Sequence, residues 1–192
     1  MFEAFSQPHY TVTVEVDVTD LKAKTKARGF SFYAAFAWVC TRAFGQTEAF
    51  RYRQRPDGTI VVVDRLDTLL AVMNDGDVAF RQVFLPLTAD SAAYEKAYRE
   101  KVADRTAPPL VDLVPGTPVA FYSALPWFSF TGLENAQTGQ MHDNDPLVAL
   151  GKYTVRDGRL MMPLAVQVNH HFVQGNDMGA FFAALDREMA AY

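Results

Sequence analysis

The chain has 192 residues, of which 49% are hydrophobic and 21% are charged, so it is long enough to bury a core of its own. This composition excludes disorder as the main state. The net charge of −4 includes no run of like charges, which argues against a nucleic-acid binder with a phosphate-neutralising patch.

The only cysteine, Cys40, has no partner for an internal disulfide or for a cysteine-based metal site. The longest apolar stretch, residues 30–44, is shorter than the roughly 20 residues that cross a membrane. The first ten residues lack the basic and apolar regions of a signal peptide. We therefore expect a soluble, cytoplasmic protein in a reducing compartment, with one domain over residues 1–192.

The first half of the chain opens with a strand over residues 10–16, where valine alternates with threonine or glutamate. Asp17 and Thr19 offer caps for a short helix over residues 20–27, which Gly29 ends. Ser31 then begins a second helix over residues 32–46, which is apolar on almost every side and is therefore expected to be buried.

Several short strands are predicted after the turn at residues 56–58, over residues 59–66, 69–74 and 78–86. Asp90 or Ser91 caps a helix with one charged face over residues 92–105. Residues 107–118 are rich in proline and resemble a linker, but they are too short to separate two domains.

The remaining chain predicts strands over residues 119–123, 127–131, 147–155 and 159–171 and a closing amphipathic helix over residues 176–192. Asp157 and Gly158 mark a hairpin turn. Mixed strands combined with helices predict an α/β (α+β) two-layer sandwich.

Of the four histidines, His170 is the strongest candidate for chemistry. It continues the apolar series of Leu164, Val166 and Val168, whereas Gln167, Asn169 and His171 belong to the polar series of the same strand. Only His170 is therefore expected to point inward. It is either a general base or a core histidine bonded to backbone, and the residues alone leave both interpretations open.

Other kinds of site find less support in the sequence. His142, Asp143 and Asp145 lack the spacing of a metal site, so no metal is predicted. No glycine-rich phosphate loop is present. Ser123 lies in SALPW, which is not the nucleophile elbow of a hydrolase.

The segments FEAFSQPHYTVTVEVDVTDL, EAFRYR, FYSALPWFSFTG, GKYTV and GRLMMPLAVQVNHHFVQG occur in this order along nearly the whole chain. Together they resemble the chloramphenicol acetyltransferase family. The segment PLAVQV followed by a histidine motif is the most specific part of this resemblance. The resemblance implies the CoA-dependent acyltransferase fold, acetyl-CoA as co-substrate and a homotrimer with active sites at the subunit interfaces. It also implies a small-molecule alcohol as acceptor, chloramphenicol or a relative, and a part in antibiotic resistance.

The family motif His-x-x-x-Asp-Gly falls on His170, Gln174 and Gly175. By resemblance, His170 is the general base and Ser123 stabilises the oxyanion. Further family positions fall on residues of the acceptor pocket and on one residue near the CoA tunnel: Phe5, Leu110 and Val78 for the pocket, and Tyr153 for the tunnel.

Some positions depart from the family pattern. Gln174 replaces an aspartate that is ion-paired to an N-terminal arginine in the family, and the chain, shortened at that end, has no arginine before Arg28. Glutamine can donate and accept hydrogen bonds without a charge, so the loss of both partners is mutually consistent. Ala149 replaces a family threonine that acts through water, and Ala4 replaces an aromatic residue beside Phe5.

Two alternatives to an active acetyltransferase follow from these departures and from the shared motif. The first is a trimer that keeps the fold and binds ligands without turnover. The second is the core of a dihydrolipoamide acyltransferase, against which SALPWFSFT and the absence of a lipoyl region argue.

Overall fold

The computed structural model describes residues 7–55, 57–114, 116–136 and 144–192. Its strands are β1 (His9–Asp17), β2 (Tyr52–Gln54), β3 (Ile60–Val62), β4 (Asp67–Val72), β5 (Arg81–Leu85), β6 (Val119–Leu125), β7 (Leu147–Gly151), β8 (Thr154–Arg156) and β9 (Arg159–Asn169). Its helices are α1 (Thr19–Arg28), α2 (Phe32–Gly45), α3 (Ser91–Ala103) and α4 (Gly175–Ala191), with a 3₁₀ turn over Glu48–Arg51.

A mixed sheet in the order β1-β9-β7-β6-β4-β5 forms one layer, and β8 pairs with the start of β9. β4, β6 and β7 run parallel to one another, whereas β5, β1 and β9 each run antiparallel to the strand beside them. The four helices form the second layer, with α2 in contact with each of the others. This architecture confirms the predicted two-layer sandwich with a mixed sheet.

Of the predicted caps, those at Gly29 and Ser31 are confirmed, whereas α1 begins at Thr19 with Val18 as its N-cap and no side-chain cap bond, so the caps expected at Asp17 and Thr19 are wrong. Gly29 ends α1 in the left-handed conformation with φ of 66°, and the Ser31 side chain accepts a hydrogen bond from the Ala34 amide at the start of α2. α2 is buried over most of its length, and the rings of Phe44 and Phe181 of α4 stack 4.2 Å apart. The prediction of a buried central helix is confirmed.

The two faces of the sheet can be assigned from one strand. The Tyr122 hydroxyl lies 2.7 Å from the Thr41 hydroxyl of α2, so Tyr122 faces the helices. Because successive residues of a strand point to opposite faces, Ser123 faces away from them. Ser123 is in register with Ala149 of β7, which is in register with Ala165 of β9.

The predicted strand over residues 127–131 is wrong. These residues cross the face of the sheet that the helices leave open, with the Lys152 amide bonded to the Phe128 carbonyl and the Asn135 amide bonded to the Gln167 side chain. Gln167 and Asn169, placed by parity on a polar face, are each only 1% exposed. The polar face of β9 is therefore covered.

Two further strands are shorter than expected. Residues 59–66 contribute only β3, which pairs with β2 in a separate small sheet. The strand expected over residues 147–155 is split in two. β7 ends at Gly151, and the chain continues as β8, which pairs with the first part of β9. The predicted hairpin at Asp157 and Gly158 is confirmed, with both residues at positive φ.

The edge strand β5 is paired on its outer side with the proline-rich segment, where the Gln82 amide donates to the Pro109 carbonyl. The Gln82 side chain in turn accepts from the Val111 amide. The segment that resembles a linker therefore lies against the sheet. Across the part of the chain that the structure describes, no helix is long and apolar enough to cross a membrane.

Candidate active site

His170 lies in the turn that follows β9 and precedes α4. Its backbone amide donates to the Pro8 carbonyl at 2.8 Å, which extends the pairing of β9 with β1 by one bond. Its imidazole Nδ1 is 3.1 Å from the Val173 carbonyl oxygen, and its ring centroid is 4.6 Å from that of Tyr10. Tyr10 packs against the core on the helix side, so His170 lies on the predicted side of the sheet, although β9 ends one residue earlier.

The Nδ1 contact fixes the tautomer of a neutral His170. A carbonyl oxygen can only accept a hydrogen bond, so the bond to Val173 requires the proton on Nδ1. In that tautomer Nε2 is the ring nitrogen that can take up a proton. The two interpretations of His170 that the sequence left open are therefore compatible, because a backbone bond at one nitrogen prepares the other as a base.

Gln174 holds this turn with uncharged groups. Its side-chain Nε2 donates to the His170 carbonyl at 3.1 Å, and its side-chain oxygen accepts from the backbone at Asp177 in a capping box at the start of α4. In return, the backbone amide of Gln174 donates a hydrogen bond to the Asp177 carboxylate at 2.8 Å. Gly175 is the first helical residue. The glutamine thus both donates and accepts, as its chemistry predicts.

Ser123 and His170 of one chain lie far apart. Ser123 is two strands from β9, in register with Ala165, and His170 follows five residues later. With about 4.8 Å between strands and 3.3 Å per residue, their Cα atoms are separated by roughly 19 Å. They also belong to opposite faces of the sheet, since Ser123 faces away from the helices. One chain therefore does not bring the two residues together.

The other residues implied by resemblance lie near the end of the sheet at which β4, β6 and β7 terminate. Tyr153 lies in the break between β7 and β8 and not within a strand, and is partly exposed. Val78, in the β4–β5 connection, is fully exposed, and Leu110 beside β5 is 61% exposed. Both side chains are therefore mostly open to solvent in the described part of the chain. Phe5, like Ala4, lies outside the described residues.

Three residues of the His170 turn were not singled out from the sequence: Tyr10, Asn169 and Asp177. The Tyr10 hydroxyl donates to the Val173 carbonyl at 3.3 Å. The Asn169 side chain accepts from the His171 amide at 2.9 Å, and its backbone carbonyl accepts from the Val173 amide. The preference of asparagine for such turns and the capping-box spacing at Asp177 were available signals, whereas Tyr10 depends on the strand register.

No group of three or more histidine, cysteine, aspartate or glutamate side chains converges as a metal site within the described ranges. His142 and Asp143, which were weighed as ligands, lie outside these ranges. Asp145, the third residue of that set, instead accepts from Arg53 at 2.7 Å and from the Val119 amide at 3.2 Å.

Comparison with known proteins finds chains that are similar in sequence and in fold. A chloramphenicol acetyltransferase from Staphylococcus aureus is 27% identical over 183 residues, which are 93% of this chain and 84% of that protein. A solved chloramphenicol acetyltransferase superposes with a TM-score of 0.84 and 27% identity, over 98% of this chain and 91% of the other. The cubic core of the pyruvate dehydrogenase multienzyme complex shares the fold more distantly, over 96% of this chain and 82% of that one, with a TM-score of 0.68 and 17% identity.

The family model of chloramphenicol acetyltransferase matches residues 1–186, which include the strand, turn and helix around His170 and the strand that carries Ser123. The similarity to the pyruvate dehydrogenase core supports only the shared fold. The chain therefore belongs to the chloramphenicol acetyltransferase family and is an acyltransferase of that type.

Proposed function

We propose that the protein is an O-acetyltransferase that moves the acetyl group of acetyl-CoA to a hydroxyl of a small molecule, chloramphenicol or a related alcohol. The observation that carries the proposal is the bond between His170 Nδ1 and the Val173 carbonyl, because it leaves Nε2 as the basic nitrogen. The single cysteine fits a reducing compartment, so the proposal places the enzyme in the cytoplasm.

His170 Nε2 takes the proton of the acceptor hydroxyl as that oxygen attacks the thioester carbonyl carbon. The new carbon–oxygen bond forms, the carbon–sulfur bond breaks, and the proton passes from His170 to the departing sulfur of CoA. Ser123 donates a hydrogen bond to the carbonyl oxygen on which negative charge grows. That bond is stronger in the transition state than in the ground state, so it accelerates the reaction.

The proposal requires two copies of the chain. Because Ser123 and His170 are roughly 19 Å apart and on opposite faces of one sheet, a site that uses both must take one from each copy. A homotrimer with three equivalent interfaces would provide three such sites. Phe5, Leu110 and Val78 are then proposed to line the acceptor pocket, and Tyr153 to contact CoA; the exposure of Val78 and Leu110 in one chain is compatible with a pocket completed by a neighbour.

The experiment is a screen of chloramphenicol and related alcohols with acetyl-CoA, in which free thiol release is measured for the wild type and for His170→Ala. We expect release that depends on the acceptor and is nearly abolished by His170→Ala. His171→Ala is the matched control, because it removes the neighbouring imidazole while the backbone bond of residue 171 to Asn169 is retained.

Turnover that is unaffected by His170→Ala would contradict the proposed base. Binding of CoA by calorimetry with no transfer to any acceptor would instead favour a trimer that binds ligands without turnover. If chloramphenicol is the acceptor, expression of the wild type but not of His170→Ala is expected to protect growing bacteria from it.

A further inference from the structure

We propose that Tyr10 is a positioning residue for His170, which keeps the proton of the neutral imidazole on Nδ1 by bonding to the same carbonyl and packing against the ring. The inference rests on the proposed role of His170 as the base. It adds a residue of the first strand to a turn whose other members come from β9 and α4.

The Val173 carbonyl is the shared acceptor. It lies 3.1 Å from His170 Nδ1 and 3.3 Å from the Tyr10 hydroxyl, and a carbonyl oxygen has two lone pairs with which to accept both. The tyrosine bond restrains the direction of the carbonyl, and the carbonyl favours the Nδ1–H tautomer. If the carbonyl could rotate away, the imidazole proton could move from Nδ1 to Nε2. Nε2 would then no longer be able to accept a proton.

The ring of Tyr10 restrains the imidazole from one side. The two centroids are 4.6 Å apart with planes at 47°, within the range of tilted aromatic contacts. Rotation of the imidazole about its side-chain torsions would therefore lose this contact as well as the Nδ1 bond. Tyr10 therefore restrains the imidazole in two ways, directly through its ring and indirectly through the Val173 carbonyl.

The strand pairing sets where Tyr10 lies. Tyr10 is opposite Val168, and the Pro8 carbonyl accepts from the His170 amide at 2.8 Å, so the register of β1 on β9 holds both partners. A shift by one residue would move Tyr10 to the other face of the sheet. The hydroxyl also stays a donor in ordinary buffers, because burial raises the pKa of Tyr10 above its usual value.

The test compares Tyr10→Phe, which keeps the ring, with Tyr10→Leu, which keeps neither ring nor hydroxyl. The tautomer is measured from the imidazole ¹⁵N shifts of His170, identified by their absence in His170→Ala. We expect an Nδ1–H ring in the wild type, a small shift toward mixed tautomers in Tyr10→Phe and a clear mixture in Tyr10→Leu. We also expect kcat to fall by about tenfold in Tyr10→Leu while both KM values change less than twofold.

Tyr94→Phe is the control for general destabilisation. Its hydroxyl lies 2.5 Å from that of Thr68 in the core between α3 and β4, three strands away from β9. We expect it to lower the unfolding midpoint without changing the His170 shifts. Should Tyr10→Leu not fold, Tyr10→Phe alone decides the outcome by its shifts.

An unchanged Nδ1–H tautomer in the folded Tyr10 variants would overturn the inference. The NMR readout needs neither acetyl-CoA nor an acceptor. A wild type without acetyl transfer would therefore contradict the proposed function, whereas the tautomer shift would still support the positioning role.

Discussion

Gln174 lacks the charge of the family aspartate but still holds the turn that carries His170. An aspartate at this half-buried position would bring a second carboxylate to the start of α4, beside Asp177, and like charges so close together repel. The glutamine amide instead bonds to the His170 carbonyl and caps the helix. The departure from the family motif therefore leaves the histidine turn intact.

Cys40 illustrates how burial controls a single side chain. It is fully buried in α2, and burial raises the pKa of its thiol to about 12. Because the thiolate is the reactive form, we predict no reaction of the folded protein with a disulfide reagent near pH 8. One thiol per chain should react after denaturation. Rapid stoichiometric labelling without denaturant would contradict this prediction. If the thiol is unreactive as predicted, the chain adds no background to a thiol-release assay.

Asp17 joins three elements through its carboxylate. It accepts from the Thr19 hydroxyl at 2.6 Å and the Thr19 amide at 3.0 Å at the start of α1, and it forms an ion pair with Arg159 at the start of β9. These contacts lower the pKa of Asp17 below its usual 3.8, and the hydrogen bond from the Thr19 hydroxyl has the largest effect.

A lowered pKa in the folded state means that the ionised carboxylate stabilises the fold above pH 3.8 and that this contribution is lost as pH falls through the folded-state pKa. We predict that Asp17→Ala lowers the free energy of unfolding by about 1 kcal/mol at pH 7. The difference from the wild type should shrink as the solution is acidified, measured by urea unfolding over the range in which both fold. A difference that is constant with pH would contradict the account.

At the scale of elements, Gly151 at the end of β7 marks a close approach of the crossing segment to the sheet. A Cβ there would lie 2.5 Å from Pro163 Cγ and 2.8 Å from Phe130 Cε1. We predict that Gly151→Ala lowers the free energy of unfolding by about 2 kcal/mol because the neighbours must move. A Cβ at Gly179 in α4 would meet no atom within 4 Å apart from the backbone of its own helix, so Gly179→Ala should stabilise by up to about 1 kcal/mol. Denaturant midpoints that change alike in both variants would contradict this contrast.

The elements that the sequence predicts well are those with a local signal. Alternation identified β1, the Ser31 cap identified the start of α2, and the Asp157–Gly158 turn identified the last hairpin. Residues 127–131 have the aromatic composition of a strand, but they cross the sheet and pair with no strand. Their conformation depends on Gly151 and Gln167, which are distant in the sequence, so no local pattern could predict it.

The residues of the candidate site also differ in whether a local sequence pattern predicts their position. The alternation of β9 placed His170 on the helix side, but the burial of Gln167 on the opposite face depends on the crossing segment. The contact of Tyr10 with His170 depends on the register of β1 and β9, which one chain segment cannot specify alone. Sequence reasoning therefore found the proposed base but not the residue proposed to position it.

At the scale of the whole molecule, the central feature is that His170 and Ser123 are roughly 19 Å apart and lie on opposite faces of one sheet. The proposed two-copy site would account for both the distance and the exposure of Leu110 and Val78 in the single chain. A fold that buries its own core can thus leave its chemistry incomplete until copies associate.

The most direct measurement of this claim is acetyl transfer by mixed trimers. We predict that His170→Ala is nearly inactive and that Ser123→Ala loses about a hundredfold in kcat. When the two variants are coexpressed in equal amounts, about one quarter of the interfaces pair an intact His170 with an intact Ser123. The mixture should therefore recover about one quarter of wild-type activity. A mixture no more active than the average of its two parents would contradict an active site shared between copies.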